Sequence, residues 1–306
     1  MTMKHAWLLL VAAGLLGSGL VRAVNVDFSK DGADALFEAP DGTLPEVVGG
    51  VVTLPSRADT RVFPVVSGKK YKLEISAETE GDFVTEKNDR AHILTLQSPR
   101  SQVSSTYEVV FQNAAGEEVR GFGGSAPGAT PLQRGFFLTN QRQPYVFVFY
   151  APPGATGARV RFLSNGRSTR IAGLRLAEES DEGTVNPNPD FRYGELNYSG
   201  WQPARDGRLY TRPDGKTVMN LGYGGGSPFF PFHAETTYQV FARGGGAKPL
   251  DIEYFDKDGK PIVRRFLIRL SEKGEETKVT PPAGTVMARV TALGALIEEF
   301  AVRVAK

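Results

Sequence analysis

The sequence predicts an all-β chain made of two tandem antiparallel β-sandwiches behind an N-terminal signal peptide. Three observations predict this fold class. Apolar and polar residues alternate over many short segments, 35 glycines and 20 prolines separate these segments, and one set of landmarks occurs twice in the same order. Alternation with a period of two is typical of strands with one buried face. Short strands with frequent turn residues between them are typical of sandwiches.

Residues 1–23 have the organisation of a signal peptide. Lys4 supplies the charged start, residues 7–20 form an apolar run, and Val21-Arg22-Ala23 offers a cleavage site with small residues. An uncleaved N-terminal anchor is the alternative. We therefore expect an exported chain that begins at Val24 and is periplasmic or extracellular.

Charge and composition limit the classes of partner. The whole chain has 36 basic and 34 acidic residues, and cleavage would leave 34 of each. Such an evenly mixed surface argues against nucleic acid as a partner, although a local patch for an acidic polysaccharide remains open. No segment after residue 23 has the length of a membrane span. The sequence has no cysteine, which excludes disulfides and thiolate chemistry.

The strands follow from the alternation. Residues 71–77 alternate apolar with polar side chains, and Tyr238, Val240 and Ala242 repeat the apolar positions of this pattern. Residues 158–162 and 300–304 alternate apolar with polar or small side chains as well. Residues 145–150 are apolar on both faces, which predicts a central strand covered on both sides or a strand with one face under a loop. We find no long amphipathic helix after the signal peptide.

Landmarks of the first half recur in the second half in the same order. Phe-Pro is followed eight residues after the Phe by a strand-opening Tyr, a hairpin turn follows, Pro-Pro then leads into Ala-Arg-Val, and an apolar triplet closes each half. The matching residues are Phe63 and Phe230, Tyr71 and Tyr238, Gly116 and Gly259, Ala158 and Ala288, and Ile171 and Ile297. A period this long indicates two whole domains and not a solenoid.

The boundary between the domains is predicted at residues 179–187, an acidic and polar stretch that ends in proline. Domain 1 then covers 24–178 and domain 2 covers 188–306. Domain 1 is longer, with insertions near 81–106 and 122–142. Insertions on a sandwich lie in loops, where binding residues concentrate, although Ala91–Leu96 could equally form an edge strand.

The start of domain 2 resembles a known family. Asn188-Pro189-Asp190-Phe191, Gly194 and Gly200-Trp201 resemble the first strand of carbohydrate-binding modules with the galactose-binding-like jelly-roll fold. Gly68 to Tyr71, the Asp-x-Asp-Gly hairpin and the Pro-Pro-x-Gly run also resemble such modules. The resemblance covers most of domain 2 and, more loosely, domain 1 from residue 51. It implies two jelly-roll sandwiches that bind carbohydrate.

The chain departs from the family at two positions. Arg192 stands where Glu is common, and the closing strand, residues 297–302, lacks the Asp that helps to form a structural calcium site in such modules. We therefore expect no cofactor. Asp256-Lys257-Asp258-Gly259 is interpreted as a hairpin turn, because Leu267 stands where a calcium loop would have its chelating carboxylate.

Sugar recognition requires exposed aromatic faces, because a pyranose ring stacks on them while polar neighbours bind its hydroxyl groups. Domain 2 offers several aromatic residues in polar, glycine-rich surroundings. The candidate ligand-binding residues are Tyr198, Trp201, Tyr210 and Tyr223. Trp201 has packing as its alternative role. The glycine run 222–226 is expected to be a turn, since no helix follows it to bind a phosphate.

Other chemistry has little support in the sequence. His92 and His233 are the only histidines after residue 23, and neither has a histidine partner at metal-ligand spacing. We expect a non-catalytic protein that binds a cell-surface or extracellular polysaccharide. The first alternative is a structural component of the envelope or matrix whose apolar loops, 122–137 and 223–232, bind envelope proteins. The second is a polysaccharide lyase or glycoside hydrolase with His92 in a catalytic domain 1.

Overall fold

The computed structural model describes residues 23–38, 44–80, 105–119, 134–137, 139–164, 168–179, 183–195, 197–201, 207–246 and 248–306. The proposed signal peptide, His92 and the greater part of both insertions lie outside these ranges, so the predictions about them stay predictions. The described chain is all-β, as predicted, with a single 3-10 turn at Ala33–Ala35. We call residues 23–179 the first half and residues 183–306 the second half.

The first half contains two antiparallel sheets. Sheet I has the order β2-β3-β11-β6-β9 with β1 also paired to β11, and sheet II has the order β4-β10-β7-β8 with β5 also paired to β10. The strands are β1 (Val24–Asp27), β2 (Val47–Val48), β3 (Val51–Thr53), β4 (Arg57–Asp59), β5 (Phe63–Pro64), β6 (Lys70–Thr79), β7 (Thr106–Gln112), β8 (Arg134–Phe136), β9 (Gln143–Tyr150), β10 (Gly157–Leu163) and β11 (Thr169–Glu178).

The second half repeats this arrangement. Sheet III has the order β12-β13-β21-β16-β19, and sheet IV has the order β14-β20-β17-β18 with β15 also paired to β20. The strands are β12 (Arg208–Thr211), β13 (Thr217–Asn220), β14 (Tyr223–Gly226), β15 (Phe230–Pro231), β16 (Tyr238–Gly245), β17 (Leu250–Phe255), β18 (Pro261–Ile268), β19 (Glu275–Val279), β20 (Met287–Leu293) and β21 (Leu296–Val304).

Both sheets of each half contribute to a common hydrophobic core. In the first half, Leu73 and Ile75 of sheet I belong to the same buried cluster as Val109 and Val160 of sheet II. The second half has an equivalent cluster between sheets III and IV. The alternation in the sequence is the cause, because every second side chain of a strand points to the same face.

Hydrogen bonds show the repeat independently of the sequence landmarks. The hydroxyl of Tyr71 accepts a bond from the backbone amide of Val66 at 2.8 Å, and the hydroxyl of Tyr238 accepts one from His233 at 2.9 Å. In each half the strand-opening tyrosine therefore holds the preceding loop by the same contact. A buried phenol needs such a partner, which explains the tyrosine at this position.

A second pair of equivalent hydrogen bonds lies at the edge of sheet II in the first half and at the edge of sheet IV in the second half. The Thr60 hydroxyl accepts a bond from the amide of Val160 at 2.9 Å, and the Ser227 hydroxyl accepts one from Val290 at 2.8 Å. The hairpin turns match as well. Asn113 and Asp256 each accept bonds from the amides two and four residues later, so Asp256 is engaged in a hairpin turn.

Each half has a β-bulge at the same place in its closing strand. In β11, Ala172 is the extra residue between Ile171 and Gly173, whose partners in β6 are consecutive. In β21, Glu298 is the extra residue opposite the step from Arg243 to Gly244. A bulge leaves its extra residue outside the ladder and redirects the side chain, so the bulge decides where Glu298 points.

Strand β9 differs from the prediction of a central strand. It lies at the end of sheet I, and its inward residues belong to the core of the first half. Its outward residues Val146, Val148 and Tyr150 are nevertheless buried, and Tyr150 belongs to the core cluster of the second half. The amide of Val146 donates to the Asn197 side chain at 2.6 Å. The second half therefore covers the strand, which explains why it is apolar on both faces.

The segment predicted as a linker is packed against the second half, although its composition indicated nothing to bury. Asn186 is buried. Its amide group donates to the backbone oxygen of Phe300 at 2.6 Å and accepts from the amide of Val302 at 2.7 Å. The Lys70 ammonium group donates to the backbone oxygen of Thr184 at 3.3 Å. Residues 184–186 thus touch both halves.

Candidate functional site

Trp201, a predicted sugar-binding residue, is a core residue. Its side chain is 1% exposed, and its ring makes edge contacts with Phe191 at 5.3 Å and Phe300 at 6.2 Å between ring centroids. A ring enclosed in this way has no free face for a sugar. The structure therefore assigns Trp201 the packing role that the sequence left as the alternative.

Tyr198 is also enclosed, at 7% exposure. Its hydroxyl accepts a hydrogen bond from the backbone amide of Leu209 at 3.3 Å, which ties the segment before β12 to the core. Burial raises the pKa of Tyr198 to about 12 because the charged phenolate would lose its hydration. The prediction of a ligand-stacking role is not supported by this geometry.

The raised pKa of Tyr198 predicts a loss of stability at high pH. The folded state favours the neutral phenol, so its contribution is complete below the ordinary pKa of about 10 and is lost as the pH rises towards 12. Two pKa units correspond to about 2–3 kcal/mol. We expect the free energy of unfolding of Tyr198→Phe to fall less steeply between pH 10 and 12 than that of the wild type in urea titrations. Equal slopes would contradict this assignment.

Tyr223 and Tyr210 lie in different sheets. Tyr223 begins β14, and its backbone pairs with Leu293 of sheet IV; its side chain is outside the described part of the chain. Tyr210 belongs to β12 of sheet III. The four predicted residues are thus divided between the core and two sheets. The ligand-binding role of Tyr223 stays a prediction.

Tyr210 is half-buried on the outer face of sheet III. Its strand neighbour Leu209 points into the core, so the ring of Tyr210 points away from it. The Arg208 guanidinium carbon lies 5.3 Å from the centroid of the ring, and the tyrosine also interacts with Arg212. Tyr210 is therefore an aromatic ring among cationic groups at a protein surface.

Side chains of neighbouring strands form a row across the outer face of sheet III, from Tyr210 in β12 to Arg243 in β16. Tyr210 pairs with Val218 of β13, the bulged residue Glu298 follows in β21, and Arg243 follows in β16. We call Tyr210, Arg212, Lys216, Arg243 and Glu298 the sheet III site. Strand pairing brings these residues together, since the hairpin that holds Tyr210, Arg212 and Lys216, strand β16 and strand β21 are far apart in the sequence.

Glu298 is the centre of the sheet III site. Its side chain is 11% exposed, and its carboxylate forms ion pairs with Arg212, with Lys216 at 3.9 Å and with Arg243 at 3.5 Å. The hydrogen bond from Arg212 to Glu298 raises the pKa of Arg212, which keeps that guanidinium charged. A largely buried carboxylate with three cations is held in one place, and so are the donors around it.

Phe241 adds a second aromatic ring on the same face. It is half-buried in β16, two residues before Arg243, and its ring lies over Gly274. A Cβ atom at Gly274 would lie 2.4 Å from the ring, so the glycine makes room for it. The face therefore offers two rings with a charged cluster between them.

The sheet III site can bind a hydroxyl-rich molecule. Its guanidinium and ammonium groups donate hydrogen bonds, the carboxylate oxygens accept them, and the rings provide apolar surfaces. Sequence reasoning found Tyr210 but not Glu298. The available signal was the repeat itself, since Glu298 follows Ile297 where the apolar Ala172 follows Ile171 in the first half.

Other candidate chemistry is limited in the described ranges. They contain no group of three or more His, Cys, Asp or Glu side chains placed to hold a metal ion. They also contain no helix long and apolar enough to cross a membrane. The loop 223–232 is less exposed than expected, because Phe229, Phe230 and Phe232 are buried.

A scan against protein-family models and a search of curated proteins give no match. Among solved structures, the tandem CBM22-1–CBM22-2 domains of Paenibacillus barcinonensis Xyn10C are 10% identical with a TM-score of 0.29, and the match covers 95% of this chain and 100% of that chain. The BiXyn10A CBM1 domain is 13% identical with a TM-score of 0.31, over 52% and 99%. Allantoicase from Saccharomyces cerevisiae is 9% identical with a TM-score of 0.26, over 93% and 90%.

Tandem carbohydrate-binding modules, the class that the sequence resembles, are thus among the solved structures similar to this chain. TM-scores of this size carry no argument about function, and enzymes occur among the matches as well.

Proposed function

We propose that the protein is an exported, non-catalytic carbohydrate-binding protein. In this proposal residues 1–23 are a signal peptide, and residues 24–178 and 188–306 are two jelly-roll β-sandwich domains. The ligand is a cell-surface or extracellular polysaccharide. It binds by stacking on aromatic rings and by hydrogen bonds, without covalent chemistry.

The sheet III site is the observation that carries the proposal. Stacking requires a ring at the surface, and Tyr210 and Phe241 are half-buried on the outer face of the sheet. Recognition of adjacent hydroxyl groups requires donors and acceptors close together, and Glu298 lies between Arg212 and Arg243. Sheet strands hold these groups, which lowers the entropy lost on binding.

Affinity electrophoresis tests the proposal. The mature chain, residues 24–306, is run through gels that contain a panel of soluble neutral and acidic polysaccharides. We expect at least one polymer to retard it. We expect Tyr210→Ala and Glu298→Gln each to weaken that binding about tenfold, since a stacking contact or a charged hydrogen bond contributes about 1.4 kcal/mol.

Phe266→Ala is the matched control. Phe266 is 61% exposed on β18 of sheet IV, so its loss removes an exposed ring from the other sheet of the same half. We expect its retardation to equal that of the wild type. No retardation of a folded chain by any polymer would contradict the proposal and favour a structural envelope component. If Tyr210→Ala, Glu298→Gln and Phe266→Ala changed the retardation equally, the polymer would bind outside the sheet III site.

A further inference from the structure

The two halves present equivalent sheets, and their strand registers align them residue by residue. Sheet I corresponds to sheet III, with β2, β3, β11, β6 and β9 in the places of β12, β13, β21, β16 and β19. The two bulges fix the alignment of the closing strands. The positions that correspond to Tyr210, Glu298 and Arg243 are occupied by Val48, Ala172 and Ser76.

These replacements remove the ring, the carboxylate and the guanidinium group of the sheet III site from the equivalent positions of sheet I. Val48 has no ring, Ala172 has no acceptor in its side chain, and Ser76 has no charge. The backbone geometry is retained, including the bulge, so the difference lies in the side chains alone. Sheet I therefore keeps the backbone of the binding sheet without the side chains of the site at these three positions, and its own charged cluster, Glu78 with Arg142 and Arg170, lies elsewhere on the sheet.

The last strands of the two sheets, β9 and β19, differ in the polarity of their outer faces. On the outer face of β19, Glu276 and Lys278 are exposed, and the register places Val146 and Val148 of β9 at the corresponding positions. Val146 is buried, and Val148 is only 1% exposed. An apolar outer face must be covered, whereas a charged outer face remains in water.

The second half provides that cover. The strand Phe230–Pro231 lies against β9, and Asn197 accepts a hydrogen bond from the amide of Val146 at 2.6 Å. Beside them, the Lys72 ammonium group lies 5.0 Å from the ring centroid of Tyr193, whose hydroxyl donates to Glu179 at 2.7 Å. The outer edge of sheet I is thus an interface within the chain.

We infer that, of the two equivalent sheets in the described part of the chain, only sheet III forms a glycan-binding face, because sheet I lacks the side chains of the site at Val48, Ala172 and Ser76 and its last strand, β9, is covered by the second half. The ligand in this inference rests on the proposed function, whereas the contact between the second half and the outer face of β9, which we call the seat, does not. The inference assigns the first half a positioning role. It also means that avidity cannot come from two equivalent sites on one chain.

The number of sites is measured with the full mature chain and the polymer that retards it. Oligosaccharides released from that polymer are titrated calorimetrically, and we expect one molecule bound per chain. The double variant Tyr210→Ala, Glu298→Gln is expected to lose retardation completely. Two molecules per chain, or residual retardation of the double variant with wild-type-like circular dichroism, would overturn the one-site inference. Unchanged retardation of that variant would contradict the proposed site itself.

The seat is tested without any ligand. Val148→Lys introduces at β9 the residue that β19 has in its place, and Lys278→Val is the matched control. We expect Val148→Lys to raise the radius of gyration in X-ray scattering and to speed hydrogen exchange at the Val146 amide at least tenfold, while Lys278→Val changes neither. Asn197→Ala, which removes the acceptor of the Val146 amide and a donor to the backbone oxygen of Tyr193, is expected to speed that exchange without unfolding the chain. If Val148→Lys and Asn197→Ala both kept the wild-type exchange rate at the Val146 amide and the wild-type radius of gyration, the proposed interface at β9 would be wrong.

Discussion

Substitution of Trp201 by alanine is expected to lower the free energy of unfolding by about 3–5 kcal/mol, the usual cost of removing a large buried aromatic side chain. The indole is enclosed between Phe191 and Phe300, so its loss leaves a cavity that two aromatic rings cannot fill. The measurement is urea unfolding of residues 24–306 followed by far-ultraviolet circular dichroism. Fluorescence is unsuitable, because Trp201 is the only tryptophan after residue 23.

The control for this substitution is Phe266→Ala. Phe266 is 61% exposed, so its removal is expected to change the free energy of unfolding by less than about 0.5 kcal/mol. A stable Trp201→Ala protein that has lost polysaccharide retardation would contradict the packing role and restore Trp201 as a ligand-binding residue. The free energy of unfolding and the polysaccharide retardation of Trp201→Ala together show whether Trp201 packs in the core or binds the ligand.

Substitution of Gly244 by alanine is expected to cost about 3 kcal/mol or more. An added Cβ atom would lie 2.0 Å from the backbone oxygen of Leu296, and the φ angle of +155° is one that residues with a side chain rarely adopt. The neighbouring strand would have to move, and Gly244 pairs with Ile297 beside the bulge that presents Glu298. We therefore expect both lower stability and weaker polysaccharide binding.

Gly245→Ala is the matched control, because no atom lies within 4 Å of the Cβ position at the adjacent glycine. It is expected to unfold at nearly the wild-type urea concentration and to bind the polymer normally. The two variants differ in chemistry by nothing except position. A Gly244→Ala protein as stable as Gly245→Ala would show that the bulge tolerates a side chain and that its geometry does not fix Glu298.

The all-β class and the repeat could be predicted because both depend on local patterns. Alternation at residues 71–77 corresponds to strand β6, and the hairpin turn around Gly259 joins β17 to β18. The apolar residues of such strands face the core by geometry alone. The repeat needs only residue spacing, and its landmarks coincide with equivalent hydrogen bonds in the two halves.

The roles of the aromatic residues could not be predicted in the same way. Tyr198 and Trp201 stand among polar residues and glycine, which indicates a surface. Ser199 and Gly200 between them both have positive φ angles of 46° and 78°, so the chain turns tightly and both rings reach the core. The composition of a segment does not reveal the handedness of its turn.

The sheet III site depends on long-range register. Glu298 meets Arg212 and Arg243 because the β12–β13 hairpin, β21 and β16 pair side by side and β21 has an extra residue. A strand pattern shows which side chains alternate, but it does not show where the ladder slips. The same limit applies to β9, whose outer face is explained only by the half of the chain that follows it.

The covered outer face of β9 has a practical consequence for how this protein is divided. A fragment that ends at residue 179 would leave Val146, Val148 and Tyr150 in water on an end strand, which is the arrangement that promotes edge-to-edge aggregation. Poor solubility of that fragment would then result from the loss of the second half that covers β9, and not from misfolding of the first half. The end strand β19 of sheet III has charged outer residues and needs no such cover, whereas the core of the second half includes Tyr150, so division of the chain removes a core residue from that half.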